Sequence, residues 1–477
     1  MKKCFLSAFI CLLAGHAISQ DAGSAPKIEQ IEAGLIPALR LEGQPPAVYR
    51  LDARMQHYKV PALSIAFINN GKIEWAKAYG YLGRDGQVKA DTLTLFQAAS
   101  ISKPITATLA FKLAAQGKLT LDEDVNKGLS SWKLKPSPFT AEKPVTLRGL
   151  LANTAGLSVE GFHGYPQGSP LPTTVQILNG EAPANSPAVV SIAAPGTGYR
   201  HSGGGYVVVK QLIENVNGQS FIDLIKQQVL IPAGMLHSTF EQPLPEPLHA
   251  NAAAGHNVNG ETLPGKWNTM AEIAPDGLWT TPADLARYLL DMSRAFKGQS
   301  SGILPSGLVN QMVSSPENRG VWSNPDDPNG WYFTGHNNGY CAEMIMFPGK
   351  GQGIVVMTNG DYGSRLIREI IRGAARAYQW NGFEPVTRSV AKLDDKTLQS
   401  YAGRYVLEGT PLFVDISVQA DHLLAKLSLD GSQSTVYPAS KERFFSIEDE
   451  TEVTFLLGSD GVVTGLNAMG RNLSKAK

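Results

Sequence analysis

Cysteine is nearly absent: the chain of 477 residues holds 3, at positions 4, 11 and 341. Cys4 and Cys11 lie close to the N-terminus, so Cys341 stands alone in the rest of the chain and no intramolecular disulfide framework is expected there. An excess of one charge is missing too. The 42 basic and 42 acidic residues cancel, which removes global charge as a basis for binding nucleic acid or a membrane surface. A bilayer span needs about 20 apolar residues, and the most apolar run, "CFLSAFICLLAG", is shorter. No G-x-G-x-x-G or Walker pattern follows a strand-like run, so Gly203 to Gly205 read as close backbone packing, not a phosphate cradle. His163, His256 and His336 lack metal-ligand spacing, so neither a metal nor another cofactor is expected.

What is present starts with an export pattern. Lys2 and Lys3 precede that short apolar run, and "AIS" (17–19) has the small residues of a cleavage site. Residues 1–19 are therefore read as a signal peptide and the mature protein as periplasmic or secreted, with no membrane span. The remainder, in a chain with 43% hydrophobic residues, is long enough for two or three domains with a sizeable core. After an N-terminal segment (20–44), residues 45–380 mix strands and helices. "ALSIAFINNGKIEWAKAYG" is a hairpin signature turned by Asn70-Gly71, and "AEMIMFPGKGQGIVVMTNGD" repeats the theme late in the region. Between Gly363 and Tyr378, Leu366, Ile367, Ile370, Ile371 and Ala374 fall on one helical face. The expected fold is α/β of the α+β type: an antiparallel sheet built from both ends of the region, flanked by helices and a helical subdomain. A polar linker (381–396) then leads to short alternating runs over 397–477, the pattern of a small all-β barrel or sandwich.

The chemistry concentrates in "FQAASISKPITATLAFKLAAQGKL". Ser100 and Lys103 stand three residues apart at the start of a helix whose apolar face includes Ile105, Leu109 and Leu113. That spacing sets two side chains about 60° apart, one turn up the same face. A lysine so placed can hydrogen-bond the serine hydroxyl and, once desolvated, take its proton. The same residues also suit a plain N-cap and a solvated lysine. Cys341, in the strand-like "NGYCAEMIMFP", reads as a buried filler. Asp122, Glu123 and Asp124 read as a capped, solvated turn.

"LFQAASISKP", "GKLTLDEDV" and "VTLRGLLANTAGL", followed in order by "PGTGYRHSGGGY", "GLWTTPADLARYL", "FTGHNNGY" and "GQGIVVMTNGD", resemble the serine β-lactamase and penicillin-binding-protein superfamily. Within it the likeness is to the class C-like esterases and D-stereospecific peptidases, over roughly residues 45 to 380. "YAGRY" (401–405) resembles the start of the small β domain often fused to this branch. The resemblance implies Ser100 as the acyl-forming nucleophile, Lys103 as its general-base partner, and the backbone N–H groups of Ser100 and His336 as the oxyanion hole. Thr334, Gly335, His336, Tyr199 and Ser202 would line the substrate cleft, with the side chains of Thr334 and His336 facing it. Two motifs depart from the pattern. His201 stands where the superfamily has a catalytic tyrosine, and Phe333 where it has a lysine or histidine. An imidazole accepts a proton near neutrality without the perturbation a phenol needs, so His201 is expected to carry the proton. Losing the cation at 333 argues against a substrate with a free carboxylate. The implied function is an acyl-enzyme hydrolase acting on a small ester, amide or peptide. The alternative is a degenerate relative that only binds a cell-wall peptide or another acyl ligand. Neither reading fixes an oligomeric state.

Overall fold

In the computed structural model, residues 24–314, 330–429, 431–447, 451–468 and 470–476 are described; the expected signal peptide, 1–19, lies outside them. Helix α1 (Ala25–Glu32), strand β1 (Leu39–Leu41) and helix α2 (Leu51–His57) lead into the hairpin β2 (Ala62–Asn69) and β3 (Lys72–Gly80). Asn70 and Gly71 take φ of 51° and 71° at its turn, the positive pair expected from an Asn-Gly sequence. The long middle of the chain supplies α3 (Ser102–Ala115), α4 (Gly203–Asn217), the short α5 (Ile273–Asp276) and α6 (Pro282–Phe296). The chain then returns as β4 (Trp331–Asn337), β5 (Tyr340–Phe347), β6 (Gln352–Thr358) and α7 (Gly363–Tyr378).

The five strands form one antiparallel sheet in the order β3-β2-β6-β5-β4, so both ends of the domain build it and β4 forms an edge. Period-two alternation sorts their side chains between two cores. Ala62, Ala66 and Ile68 of β2 face the helical middle of the chain, and Leu63, Ile65 and Phe67 face the other way. On that second face α7 lays down Leu366, Ile367, Ile370, Ile371 and Ala374, the stripe expected from the sequence. A buried bidentate pair ties α2 to α7: Arg54 donates to both carboxylate oxygens of Glu369, at 2.8 and 2.6 Å, and Tyr58 donates to Glu369 at 2.8 Å.

The stretch expected to be a linker contains structure. β7 (Val386–Arg388) pairs in parallel with β1, Leu39 opposite Val386 and Leu41 opposite Arg388. A helix at Asp395–Tyr401 also begins inside it, capped by Asp394. Beyond it, eight strands from β8 (Gly403–Val406) to β15 (Arg471–Lys475) close into an antiparallel barrel in sequence order, so a barrel and not a sandwich is formed. Ala38, Leu39 and Phe445 share a small core, and the Leu39 N–H donates to the Ile447 carbonyl at 3.2 Å. The N-terminal segment thus contacts the barrel directly. Among the described residues, no helix is long and apolar enough to cross a membrane.

Candidate active site

Ser100 sits in a 3-10 turn (Ala99–Ile101) that runs directly into α3. Ala99 holds φ at 48°, a left-handed conformation that costs a non-glycine residue on the order of 1–3 kcal/mol. Lys103, one turn on, is fully buried, and its Nζ lies 2.7 Å from Ser100 Oγ. Residues 102–111 of α3 are all buried, so packing holds the Lys103 side chain out of water. Burial pushes the Lys103 pKa down from the ordinary lysine value, and the neighbouring Asp276 carboxylate opposes that shift.

Asp276 is the site residue that motif reading missed. Its Oδ1 accepts from Ser100 Oγ at 3.1 Å and from Lys103 Nζ at 3.3 Å. The segment carrying it is stitched to the start of α3. Thr106 donates to the Ala274 carbonyl at 2.8 Å, Leu278 N–H donates to Ser102 Oγ at 3.0 Å, and Ala98 N–H donates to the Leu278 carbonyl at 2.9 Å. From the strand side, Asn337 donates to the Asp276 carbonyl at 3.3 Å and to Gln97 at 2.8 Å.

Strand β4 closes the site through its backbone. Asn337 and Tyr340 pair across a two-residue turn, which makes them a hydrogen-bonded pair. By alternation His336, opposite Cys341, belongs to a non-hydrogen-bonded pair, so its N–H points away from β5, off the edge that the sheet has among the described residues. That is the direction an oxyanion-hole donor requires. Gly335 faces Ser100: a Cβ there would lie 3.1 Å from the Ser100 nitrogen.

The side chains of β4 correct the expected cleft lining. Trp331 and Phe333 pack toward the core that contains α3, whereas Tyr332 packs toward the α7 side. Alternation puts Thr334 and His336 with Tyr332, and the His336 ring lies 3.8 Å from Asp361 near the start of α7. Their side chains therefore project away from Ser100, and Phe333, Gly335 and Asn337 face it. The resemblance implied that the side chains of Thr334 and His336 face the cleft; the packing of their neighbours puts them on the α7 side.

Ser202 is a second correction. It is buried, it caps α4 by accepting from Gly205 N–H at 2.9 Å, and it donates to the Ser158 carbonyl at 2.7 Å. Its hydroxyl is committed to capping α4 and to the Ser158 carbonyl and not to a substrate. The glycines behind it pack closely, since a Cβ on Gly204 would stand 2.9 Å from the Ser158 carbonyl oxygen. Tyr199 is exposed. His201 is half-buried and near enough to Lys103, Asp276 and Glu160 to feel their charges. Burial, reinforced by Lys103, lowers its pKa below the usual histidine value, so the imidazole is neutral at pH 7. The tyrosine beside Lys103 is Tyr206, whose ring centroid is 6.0 Å from Nζ. Its hydroxyl donates to the Leu151 carbonyl at 2.8 Å and so does not take the place of the absent catalytic tyrosine.

The other candidates have structural surroundings. His256 is buried, with ring nitrogens 2.9 Å from the Asn359 carbonyl and 3.1 Å from the Thr262 hydroxyl. Cys341 is buried, which pushes its thiol up to about 12. Asp122 pairs with Arg148, Glu123 with Lys127, and Asp124 caps the turn that follows it.

Comparison with known proteins identifies the family. Residues 50–378 match the family described as Beta-lactamase, and residues 387–473 match a domain of unknown function, DUF3471. The chain is 26% identical over 336 residues to protein flp of Staphylococcus aureus (strain MW2), covering 66% of this chain and 63% of flp. It thus spans less than two thirds of that relative's length. It is 24% identical over 423 residues to penicillin-binding protein 4* of Bacillus subtilis (strain 168), covering 82% of this chain and 89% of that protein. The fold is similar to the octameric penicillin-binding protein homologue from Pyrococcus abyssi, with a TM-score of 0.56 at 20% identity over 89% of this chain and 98% of that one.

Proposed function

The chain belongs to the β-lactamase family, and from that premise we propose that it is an exported serine hydrolase forming an acyl-enzyme on Ser100. Its substrate is a small ester, amide or peptide. The observation that carries this reading is the 2.7 Å contact between Ser100 Oγ and the Nζ of the fully buried Lys103. A cation held dry beside a hydroxyl serves proton transfer and alkoxide stabilisation, and it contributes little to a solvated surface. Ser100 attacks the carbonyl, Lys103 and His201 carry protons, and the N–H groups of Ser100 and His336 receive the oxyanion. Water then releases the acyl group. Phe333 offers no charge to a substrate carboxylate, which favours esters and amides without one.

A serine-reactive fluorophosphonate tests the reading. Labelling of the wild type but not of Ser100→Ala is expected. No labelling of either would leave a protein that binds acyl ligands without turning them over. Export is tested by N-terminal sequencing of the protein recovered from outside the cytoplasm, with the mature chain expected to begin at Gln20.

A further inference from the structure

We propose that Asp276 is a third catalytic residue: its carboxylate accepts the Ser100 proton during acylation, while Lys103 acts as the ammonium that stabilises the nascent alkoxide and protonates the leaving group. The inference rests on the hydrolase reading and reassigns the base within it.

The argument starts from hydrogens. An ammonium has donors and no lone pair, so in the 2.7 Å contact Lys103 donates and the Ser100 oxygen accepts. The single Ser100 hydroxyl hydrogen then needs another acceptor, and Asp276 Oδ1 stands 3.1 Å away. In this arrangement the group facing the proton to be removed is the carboxylate. Asp276 Oδ1 also lies 3.3 Å from Lys103 Nζ, where its charge opposes the lowering of the lysine pKa by burial. Asp276 is itself buried, 4% exposed, so its partners are protein groups and not bulk water. The titratable groups that feel its charge are Lys103, His201 and Glu272.

The protons balance. As the bond from Ser100 Oγ to the carbonyl carbon forms, the Oγ–H proton passes to Asp276 and the carbonyl π pair moves onto oxygen. As the bond to the leaving group breaks, that group takes a proton from Lys103. Asp276 then returns its proton to the Lys103 amine across the 3.3 Å contact. Deacylation repeats the sequence with water as nucleophile and Ser100 Oγ as leaving group.

The test compares acylation rates by a p-nitrophenyl ester across pH for the wild type and Asp276→Asn, after circular dichroism shows the variant folded. General-base loss costs about 10²–10⁴-fold, so a slowing of at least about 100-fold is expected at neutral pH. The variant should recover as pH rises and Lys103 loses its proton to become the base. A wild-type rate with a wild-type pH profile in Asp276→Asn would overturn the proposal. A second measurement separates this outcome from failure of the hydrolase reading. In Ser100→Cys, the pH dependence of alkylation by iodoacetamide reports the thiol pKa without any turnover. Adding Asp276→Asn should lower that pKa by about one unit or more, because a neighbouring carboxylate disfavours the thiolate. An unchanged thiol pKa would show that Asp276 does not address position 100, whether or not the wild type hydrolyses anything.

Discussion

Gly335 lies so close to Ala98 that a Cβ on the glycine would sit 2.1 Å from the Ala98 carbonyl oxygen. Only a residue without a side chain lets β4 come this near the turn that carries Ser100, and the proposed oxyanion hole, which pairs the His336 N–H with that of Ser100, depends on this approach. Gly335→Ala must push the strand edge outward. Losing one oxyanion donor costs about 10²–10³-fold in rate, so acylation should slow by at least about 100-fold. The burst rate with a p-nitrophenyl ester checks this, and a wild-type burst would refute it.

His201 sets a pH limb. Burial and Lys103 hold its pKa below 6.5, so the imidazole is neutral and proton-accepting at pH 7 and becomes charged only in more acidic solution. If it carries a proton, kcat/KM falls as pH drops through a value below 6.5, and His201→Gln removes that limb while lowering the plateau about 10²-fold. An unchanged profile in the variant would return His201 to a structural role.

The Arg54–Glu369 pair is buried, at 5% and 1% exposure. Removing one partner strands the other charge away from water, at a cost of about 3–5 kcal/mol. Glu369→Ala should lower the urea-unfolding free energy by that amount, and replacing both by Met and Leu should restore much of it. A loss under about 1 kcal/mol would show that the pair is solvated.

Two buried carboxyls give stability a pH dependence. Burial raises Glu272 and Glu343 from 4.5 to about 7 each. The folded state therefore holds these protons more tightly than the unfolded chain does. Their contribution is fully present below about pH 4.5 and is lost as pH rises through about 7, on the order of 3 kcal/mol per group. Glu272→Gln and Glu343→Gln should each flatten the fall in unfolding free energy between pH 5 and 7. A slope equal to the wild type's in both variants would contradict the assignment.

Much of this was legible in the chain because it is local. Asn70-Gly71 writes its own turn, the 366–374 stripe writes its own helix face, and Ser100 and Lys103 meet through one helical turn. Asp276 was not legible, because its contact with Ser100 spans 176 residues and is made by tertiary stitching through Ala98, Ser102 and Thr106. Alternation along 333–337 sorted residues into two faces, yet only the packing of Trp331 and Tyr332 shows which face meets Ser100. Ser202 carries a readable signal, since a serine directly before an apolar helix is a cap. The strand at Val386–Arg388 was hidden because three residues are too few for a period, and its partner, Leu39–Leu41, lies near the other end of the chain.

The central claim is that Ser100 becomes acylated with the help of the buried Lys103. Peptide mapping by mass spectrometry after brief exposure to the fluorophosphonate tests it most directly. The account predicts one adduct, on the peptide containing Ser100, absent in Ser100→Ala and at least about 100-fold slower to form in Lys103→Ala. An adduct on another residue, or equal labelling of the Lys103→Ala protein, would contradict it.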